Sequence, residues 1–113
     1  MPKPAHSVTN FEQELRRGVL TLAILSQLKS PQYGYSLRQL LGAHGLPIEE
    51  GTLYPLLRRL DEQGLLRSEW KIADGPPRRY YARSAQGERL FRELSAVWRS
   101  LAATMQNLME KGR

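Results

Sequence analysis

The chain has 113 residues, the size of one domain with a modest core, and it contains no cysteine, which excludes disulfides, thiolate chemistry and cysteine-ligated zinc. The net charge of +6 favours a polyanionic partner, although a basic protein without such a partner fits the charge equally well. No run of about eighteen apolar residues could span a membrane, and the first residues, MPKPAHSV, lack the apolar segment of a secretory signal, so we expect a cytoplasmic protein.

The apolar spacing predicts a first helix from about Asn10 to Lys29, after a flexible N-terminal tail at residues 1–8. Thr9 followed by Glu12 has the spacing of a capping box, in which the hydroxyl and the carboxylate bond early backbone N–H groups. Apolar residues then recur every three or four positions, and Pro31 ends the helix. Because these residues cover most sides, we expect this helix to be largely buried.

A second and a third helix follow, joined by a short connection that holds the glycine and proline of a sharp reorientation. The second helix is predicted from about Tyr35 to His44, and Gly45 suits the left-handed conformation that ends many helices. The third covers the stretch GTLYPLLRRLDEQG, from Gly51 to Gly64, with basic residues largely on one side. Its inward face is predicted to comprise Leu53, Leu56, Leu57 and Leu60.

The third helix begins with two residues that form helices poorly. Proline is tolerated in a first turn but costs about 3 kcal/mol in a helix interior, and Pro55 lies close to that boundary. Gly51 has no side chain to hold the backbone away from a neighbouring surface. A helix N-terminus also offers free N–H groups and partial positive charge to phosphate. We interpret the stretch as a helix whose N-terminal end meets DNA; the alternative is a core helix with an unusual start.

The period of the pattern changes after the third helix. The segments Leu65–Ile72 and Arg78–Arg83 flank the turn ADGPP and predict a β-hairpin. From Arg67 to Arg83, five basic residues stand against two acidic ones, so the local surplus of three positive charges is half the net charge. Ser84 can then cap a long final helix, from about Ala85 to Glu110.

The order helix, helix, helix, hairpin, helix predicts a mainly α fold with a β-hairpin. It is the order of a winged helix-turn-helix, here at residues 9–84, followed by a C-terminal dimerisation helix at residues 85–113. The third helix would enter the major groove of double-stranded DNA. The hairpin would be the wing, which lies along the backbone or the minor groove.

The final helix carries more apolar surface than a small winged domain can readily cover, at the heptad spacing of helices that pair. We expect this surface to be buried in a homodimer, against the first helix of the other chain. The alternative is a monomer in which the first and last helices pack on each other. The predicted seam consists of Leu90, Leu94, Val97, Leu101, Thr104 and Leu108.

A second row on the final helix, at intervals of seven, contains Phe91, Trp98 and Met105. If the two final helices cross near the dyad, Trp98 and its mate would flank a cleft, and flat aromatic walls suit planar, often cationic ligands. Phe91 and Met105 would add soft contacts. The row therefore suggests an effector site; the alternative is that Trp98 belongs to the dimer core.

The run GTLYPLLRRL, followed by GLL at Gly64, resembles the signature of the PadR family of bacterial transcriptional regulators. The resemblance extends over about residues 11 to 110 and is strong in combination, with one departure at Ala82-Arg83-Ser84. The short C-terminal part is similar to the smaller members of the family. The further matching pieces are Tyr33-Gly34-Tyr35-Ser36-Leu37, Trp70, Arg78-Arg79-Tyr80-Tyr81, Ser84 and Gly87.

The resemblance implies a dimeric DNA-binding transcription factor, commonly a repressor that leaves a palindromic operator when a small molecule binds. The start of the second helix would approach a phosphate, the third helix would meet the major groove, and the wing would meet backbone or minor groove. For Tyr54, packing is an equal alternative. The residues implied in DNA binding are Tyr35, Ser36, Gly51, Thr52, Tyr54, Pro55, Arg58, Arg78 and Arg79.

Two other classes of function are considered. An enzyme finds little support, because no nucleophile with an orienting base, no phosphate-binding loop and no metal-ligand spacing is evident, and His6 and His44 stand apart. We expect no catalytic residues, no metal and no cofactor. The second alternative is a winged helix used for RNA or protein contact, without a specific operator.

Overall fold

The computed structural model describes residues 8–72 and 74–111. The tail predicted at residues 1–8 therefore lies outside the described residues, apart from Val8, which begins the first helix. The elements in chain order are α1 (Val8–Arg17), α2 (Leu20–Gln27), β1 (Gln32–Tyr33), α3 (Gly34–Ala43), α4 (Glu50–Glu62), β2 (Leu66–Lys71), β3 (Arg78–Arg83) and α5 (Ala85–Lys111).

The prediction of one long first helix is wrong, because the helix is interrupted at Gly18 and Val19, which separate α1 from α2. Glycine is among the poorest helix formers, and the Val19 N–H bonds the Arg16 carbonyl at 3.1 Å in a tightened turn. α2 buries Leu20, Ile24 and Leu25. All residues of α1 are at least partly exposed, so the expected burial applies to its second half alone.

The predicted capping box at Thr9 and Glu12 is also wrong. Thr9 lies inside α1 instead of preceding it. The Glu12 carboxylate accepts a 2.9 Å bond from Arg16 one turn later, an exposed pair of the kind that adds little stability.

The third helix of the sequence pattern is α4, and α3 and α4 form the predicted helix-turn-helix. Gly45 follows α3 with φ +89° and Gly64 follows α4 with φ +79°, which confirms the left-handed end predicted at Gly45. The backbone N–H of the residue after each glycine donates a hydrogen bond to a carbonyl in the last turn of the helix. Leu46 bonds the Leu41 carbonyl at 2.8 Å, and Leu65 bonds the Leu60 carbonyl at 2.9 Å. Both ends are Schellman motifs, which satisfy carbonyls that the helix leaves unpaired.

α4 continues through Pro55, which stands in its interior and is exposed. The proline ring would crowd the carbonyl four residues earlier and cannot bond it. That carbonyl belongs to Gly51, which is also exposed, so water can reach the group that Pro55 leaves unpaired.

The predicted hairpin is confirmed as β2 and β3, with Ser68 opposite Tyr81 and Trp70 opposite Arg79. We call β2, β3 and the turn between them the wing. The sequence pattern missed β1, which pairs with the other edge of β3 and gives an antiparallel sheet in the order β1-β3-β2. With two residues, β1 is too short to show an alternating pattern.

One core lies between α2, α3, α4 and the sheet, and all four leucines predicted for the inward face of α4 belong to it. Among the described residues, no helix is long and apolar enough to cross a membrane. The buried core comprises Leu20, Ile24, Leu25, Leu28, Leu37, Leu41, Ile48, Leu53, Leu56, Leu57, Leu60, Leu66 and Tyr81.

The start of α5 is fixed by the predicted cap. The Ser84 hydroxyl accepts a 3.0 Å bond from the Gly87 N–H and donates a 2.6 Å bond to the Gly64 carbonyl. Gly87 is buried against the end of α4, where a Cβ atom would collide with the Leu65 carbonyl oxygen and lie 3.1 Å from its carbon. The absence of a side chain at Gly87 is therefore what allows α5 to begin there.

We predict that Gly87→Ala lowers the free energy of unfolding by about 1–3 kcal/mol, because the added methyl displaces backbone. The control is Gly42→Ala, an exposed position in α3 with open space around it, where alanine should stabilise by about 0.5–1 kcal/mol. Urea unfolding followed by circular dichroism, at one protein concentration, measures both. Equal stability of the two variants would contradict the close approach at Gly87.

Candidate nucleic-acid interface

The outward face of α4 carries most of the residues predicted to meet the major groove. Gly51, Thr52, Pro55 and Arg58 are exposed, and the four leucines behind them hold the helix to the core. Neighbouring side chains therefore leave this face open along its first two turns.

The N-terminal end of α4 differs from the sequence interpretation. Glu49 and Glu50 stand there, both exposed, and Glu50 pairs with Arg38 at 3.0 Å. Carboxylates at this position match the positive end of the helix dipole and would repel a phosphate. The geometry therefore favours DNA contact along the side of α4, around Pro55 and Arg58, over contact at its tip.

Tyr54 is half-buried, and its ring covers the start of α3. A Cβ atom on Gly34 would lie 2.6 Å from Cζ of Tyr54. The ring thus packs where α3 and α4 approach each other, which supports the packing interpretation. One edge of the ring also lines the cleft between α4 and the wing.

At the start of α3, Tyr35 is exposed and its hydroxyl accepts a 2.9 Å bond from Gln39. The Ser36 hydroxyl lies 2.8 Å from Oε1 of Gln32 and 2.9 Å from the Tyr33 carbonyl. The Ser36 hydroxyl therefore connects the first turn of α3 to the residues that precede it, whereas the ring of Tyr35 is exposed to solvent.

The two arginines at the start of β3 have different surroundings. Arg78 is exposed, with its guanidinium 4.6 Å from the centre of the Tyr33 ring. Arg79 turns toward α4, where Nη2 donates a 2.9 Å bond to Asp61 and Nε donates a 3.1 Å bond to the Ser68 hydroxyl.

A third hairpin arginine that the sequence counted as surface charge is buried. The side chain of Arg83 is 7% exposed and pairs with Glu88 at 2.7 Å. The surplus of positive charge on the surface of the wing is therefore smaller than the sequence suggests.

An open cleft of about 330 Å³ lies between α4 and the wing, beside the start of α3, and we call it the α4–wing cleft. It brings together Arg58 from α4 with Arg78 and Arg79 from β3, so the three arginines predicted to bind DNA converge. Guanidinium groups bind phosphate in a bidentate manner, and a recognition helix and a wing lie on either side of a DNA backbone. The aromatic walls of the cleft are Tyr33, Tyr54, Trp70 and Tyr81.

Trp70 also lines the α4–wing cleft, a position that the sequence did not reveal. Its side chain is largely exposed on β2, and the Arg79 guanidinium lies 6.0 Å from its ring centre. A large exposed aromatic residue on a wing strand was the available signal. Tyr81, by contrast, is buried at the base of the cleft, and burial raises the pKa of its phenol even though Arg79 nearby acts in the opposite direction.

α5 divides into a packed and an exposed part. Leu90 and Leu94, predicted for the dimer seam, pack against the core of their own chain. Phe91, predicted for an effector site, does the same, with the Arg83 guanidinium 4.4 Å from its ring centre. The remaining predicted residues of both rows are exposed, namely Val97, Trp98, Leu101, Thr104, Met105 and Leu108.

The part of the chain that the structure describes contains no cluster of three or more histidine, aspartate or glutamate side chains that could hold a metal ion.

Comparison with known proteins gives relatives over most of the chain. The model of the transcriptional regulator PadR-like family matches residues 21–93. Transcriptional regulator Rv3488 of Mycobacterium tuberculosis is 40% identical over 76 residues, which cover 66% of this chain and 71% of that protein. A PadR family transcriptional regulator from Eggerthella lenta has a crystal structure that is 48% identical, with a TM-score of 0.86 over 91% of this chain and 92% of that one. A PadR-like transcriptional regulator from Bacillus cereus is 32% identical, with a TM-score of 0.77 over 85% and 96% of the two chains.

Proposed function

The chain belongs to the PadR-like family of transcriptional regulators, which are winged-helix DNA-binding proteins, and from this premise we propose that it is a homodimeric repressor. The dimer binds a palindromic operator in the cytoplasm and is released when a planar small molecule binds between its subunits. The observation that carries the proposal is the convergence of Arg58, Arg78 and Arg79 on the α4–wing cleft.

In the proposed complex, the side of α4 lies in the major groove. Thr52, Pro55 and Arg58 face the bases and the flanking phosphates, and the absence of a side chain at Gly51 leaves room for the approach. Tyr35, at the start of α3, approaches a phosphate of the adjoining backbone. Arg78 follows the backbone from the wing. Arginine suits each of these contacts, since its planar fork pairs with phosphate and its charge draws it to a narrow minor groove.

The proposed dimer interface lies along the exposed part of α5. Val97, Leu101 and Leu108 are 57%, 53% and 59% exposed and follow one face of the helix. Monomeric proteins rarely expose contiguous apolar patches of this kind. Within the chain, α2 packs against α5, and Leu90, Phe91 and Leu94 of α5 pack against the core. Val8 and Leu15 of α1 remain exposed. A second copy would cover both surfaces by laying its α1 against this part of α5.

A dimer of this kind matches a palindromic operator. Two winged domains related by a dyad present two copies of α4, which reach successive major grooves when their centres are about 34–36 Å apart. Each subunit would then contact one half-site, and the two half-sites would carry the same sequence in opposite directions.

The proposed effector site is at the same interface. Trp98 and Met105 are exposed and lie seven residues apart on one face of α5. A planar cation could stack on the indole between two such helices. To release DNA, the ligand must bind the DNA-free arrangement of the two subunits more tightly than the bound one. Phe91 contributes indirectly at most, since Arg83 covers its ring.

A duplex that the protein selects from random-sequence DNA should be palindromic and should bind about a thousandfold or more tighter than a random duplex. Arg58→Gln should weaken this binding, whereas Arg99→Gln, an equal loss of charge on exposed α5, should change it little. Fluorescence anisotropy at several salt concentrations measures both, and affinity should fall steeply with salt. Equal affinity for selected and random duplexes would instead favour the alternative, a winged module for RNA or protein contact.

Leu101→Asp should convert the dimer into a folded monomer, because a carboxylate cannot be buried unpaired in an apolar seam. Ser100→Asp places the same charge on the neighbouring exposed residue and should leave the dimer intact. Sedimentation equilibrium gives the masses, and circular dichroism confirms the fold. A monomeric wild type, or a dimeric Leu101→Asp variant, would refute the proposed seam.

Binding of ethidium, used as a planar cationic probe, should quench the fluorescence of Trp98. Trp70→Phe leaves Trp98 as the remaining indole of the two in the chain and should keep the quenching, whereas Trp98→Ala should abolish it. The titration is carried out without DNA, because ethidium binds duplexes. Absence of quenching in the wild type, or equal quenching in both variants, would refute the proposed effector site at Trp98.

A further inference from the structure

Asp61 is an acidic residue in a place that simple electrostatics disfavours. It lies in the last turn of α4, where the negative end of the helix dipole repels a carboxylate. It also stands close to the arginines of a surface that binds a polyanion. Its side chain is 20% exposed, so water solvates it less than the glutamate beside it.

The contacts of Asp61 account for its position. Its Oδ2 accepts a 2.9 Å bond from Nη2 of Arg79 and a 2.7 Å bond from the Ser68 hydroxyl. The same hydroxyl accepts bonds from Nε and Nη2 of Arg79, at 3.1 and 3.0 Å. Two side chains from two different elements therefore fix one edge of the guanidinium, and Nη1 takes part in none of these bonds.

The held arginine lines the α4–wing cleft together with Arg58 and Arg78. Its guanidinium lies 5.6 Å from the ring centre of Tyr81 and 6.0 Å from that of Trp70. A side chain that is already ordered loses less conformational entropy when it binds a ligand, so its contact is worth more affinity.

We propose that Asp61 is a positioning residue for DNA binding, which holds Arg79 so that its Nη1 edge faces a backbone phosphate in the α4–wing cleft. This inference rests on the proposed function, since it requires that Arg79 contacts DNA. The carboxylate increases the affinity for a polyanion although its own charge opposes binding.

The two effects of the Asp61 carboxylate change DNA affinity in opposite directions, so the direction of the change in a variant distinguishes them. Asp61→Asn removes a negative charge, and charge alone would make DNA binding tighter. If the carboxylate positions Arg79, binding of the selected duplex should become about tenfold weaker, the effect of losing one charge-assisted hydrogen bond. The matched control is Glu62→Gln, which removes the same charge from the next, exposed residue of α4 and should leave affinity equal or slightly higher.

Three further variants separate positioning from a structural role. Arg79→Gln should weaken binding and reduce the slope of log K against log salt by about 0.9, the value for one phosphate contact. In the Arg79→Gln background, Asp61→Asn should cause no further weakening and should leave affinity equal or slightly higher, as Glu62→Gln does. Ser68→Ala removes the second anchor without changing charge and should also weaken binding, which keeps the test available if Asp61→Asn unfolds. Circular dichroism confirms that each variant is folded.

Affinity of Asp61→Asn equal to that of Glu62→Gln would overturn the proposal, as would equal weakening by Asp61→Asn with and without Arg79. An unchanged salt slope for Arg79→Gln would overturn it too, because the pair would then merely fasten the wing to α4. A wild type that does not distinguish the selected duplex from random DNA would overturn the proposed function as well.

Discussion

One cation with an almost fully buried side chain, Arg83, contacts three elements of the fold. Its Nη1 donates a 3.0 Å bond to the Leu25 carbonyl in the last turn of α2, and its Nη2 pairs with Glu88 of α5 at 2.7 Å. The guanidinium also covers the ring of Phe91, and the backbone N–H of Arg83 bonds the Leu28 carbonyl at 2.8 Å. A buried charge is tolerated when it is paired and hydrogen-bonded, and here the pairing joins α2, β3 and α5.

The position of Arg83 at the end of β3 connects the two halves of the proposed function. β3 is the central strand of the sheet. It is fixed to the helical core and to α5 by its last residue, Arg83, and its first two residues, Arg78 and Arg79, lie at the α4–wing cleft. α5 and the wing are therefore both positioned by a single strand, β3. A dimer built on α5 would for this reason place its two wings at a defined separation.

Local patterns predicted much of the fold and a smaller part of the site. The spacing of the leucines in α4 predicted both the helix and its buried face, because a recurrence every three or four residues can be read from the local sequence. Gly45 and Ser84 were predicted because caps have local signals. The break at Gly18 was missed because the apolar spacing runs through it unchanged. The contacts that Arg79 and Arg83 make within the chain were missed because their carbonyl and carboxylate partners, apart from Glu88, come from distant segments, and sequence counting treats every arginine as surface charge.

The acidic residues around the interface define it as much as the basic ones do. Carboxylates stand at both ends of α4, with Glu49 and Glu50 at the start and Asp61 in the last turn. Between them lie two exposed cations, Arg58 and Arg59, and Arg58 lines the cleft. In the proposed complex, a phosphate would be repelled from the tip of the helix and drawn toward the cleft, which Arg78 and the held Arg79 line from the wing. A uniformly basic surface would bind DNA in many registers. Negative charge that borders a small cationic cleft instead restricts the position of the backbone, which operator recognition requires before base contacts can discriminate.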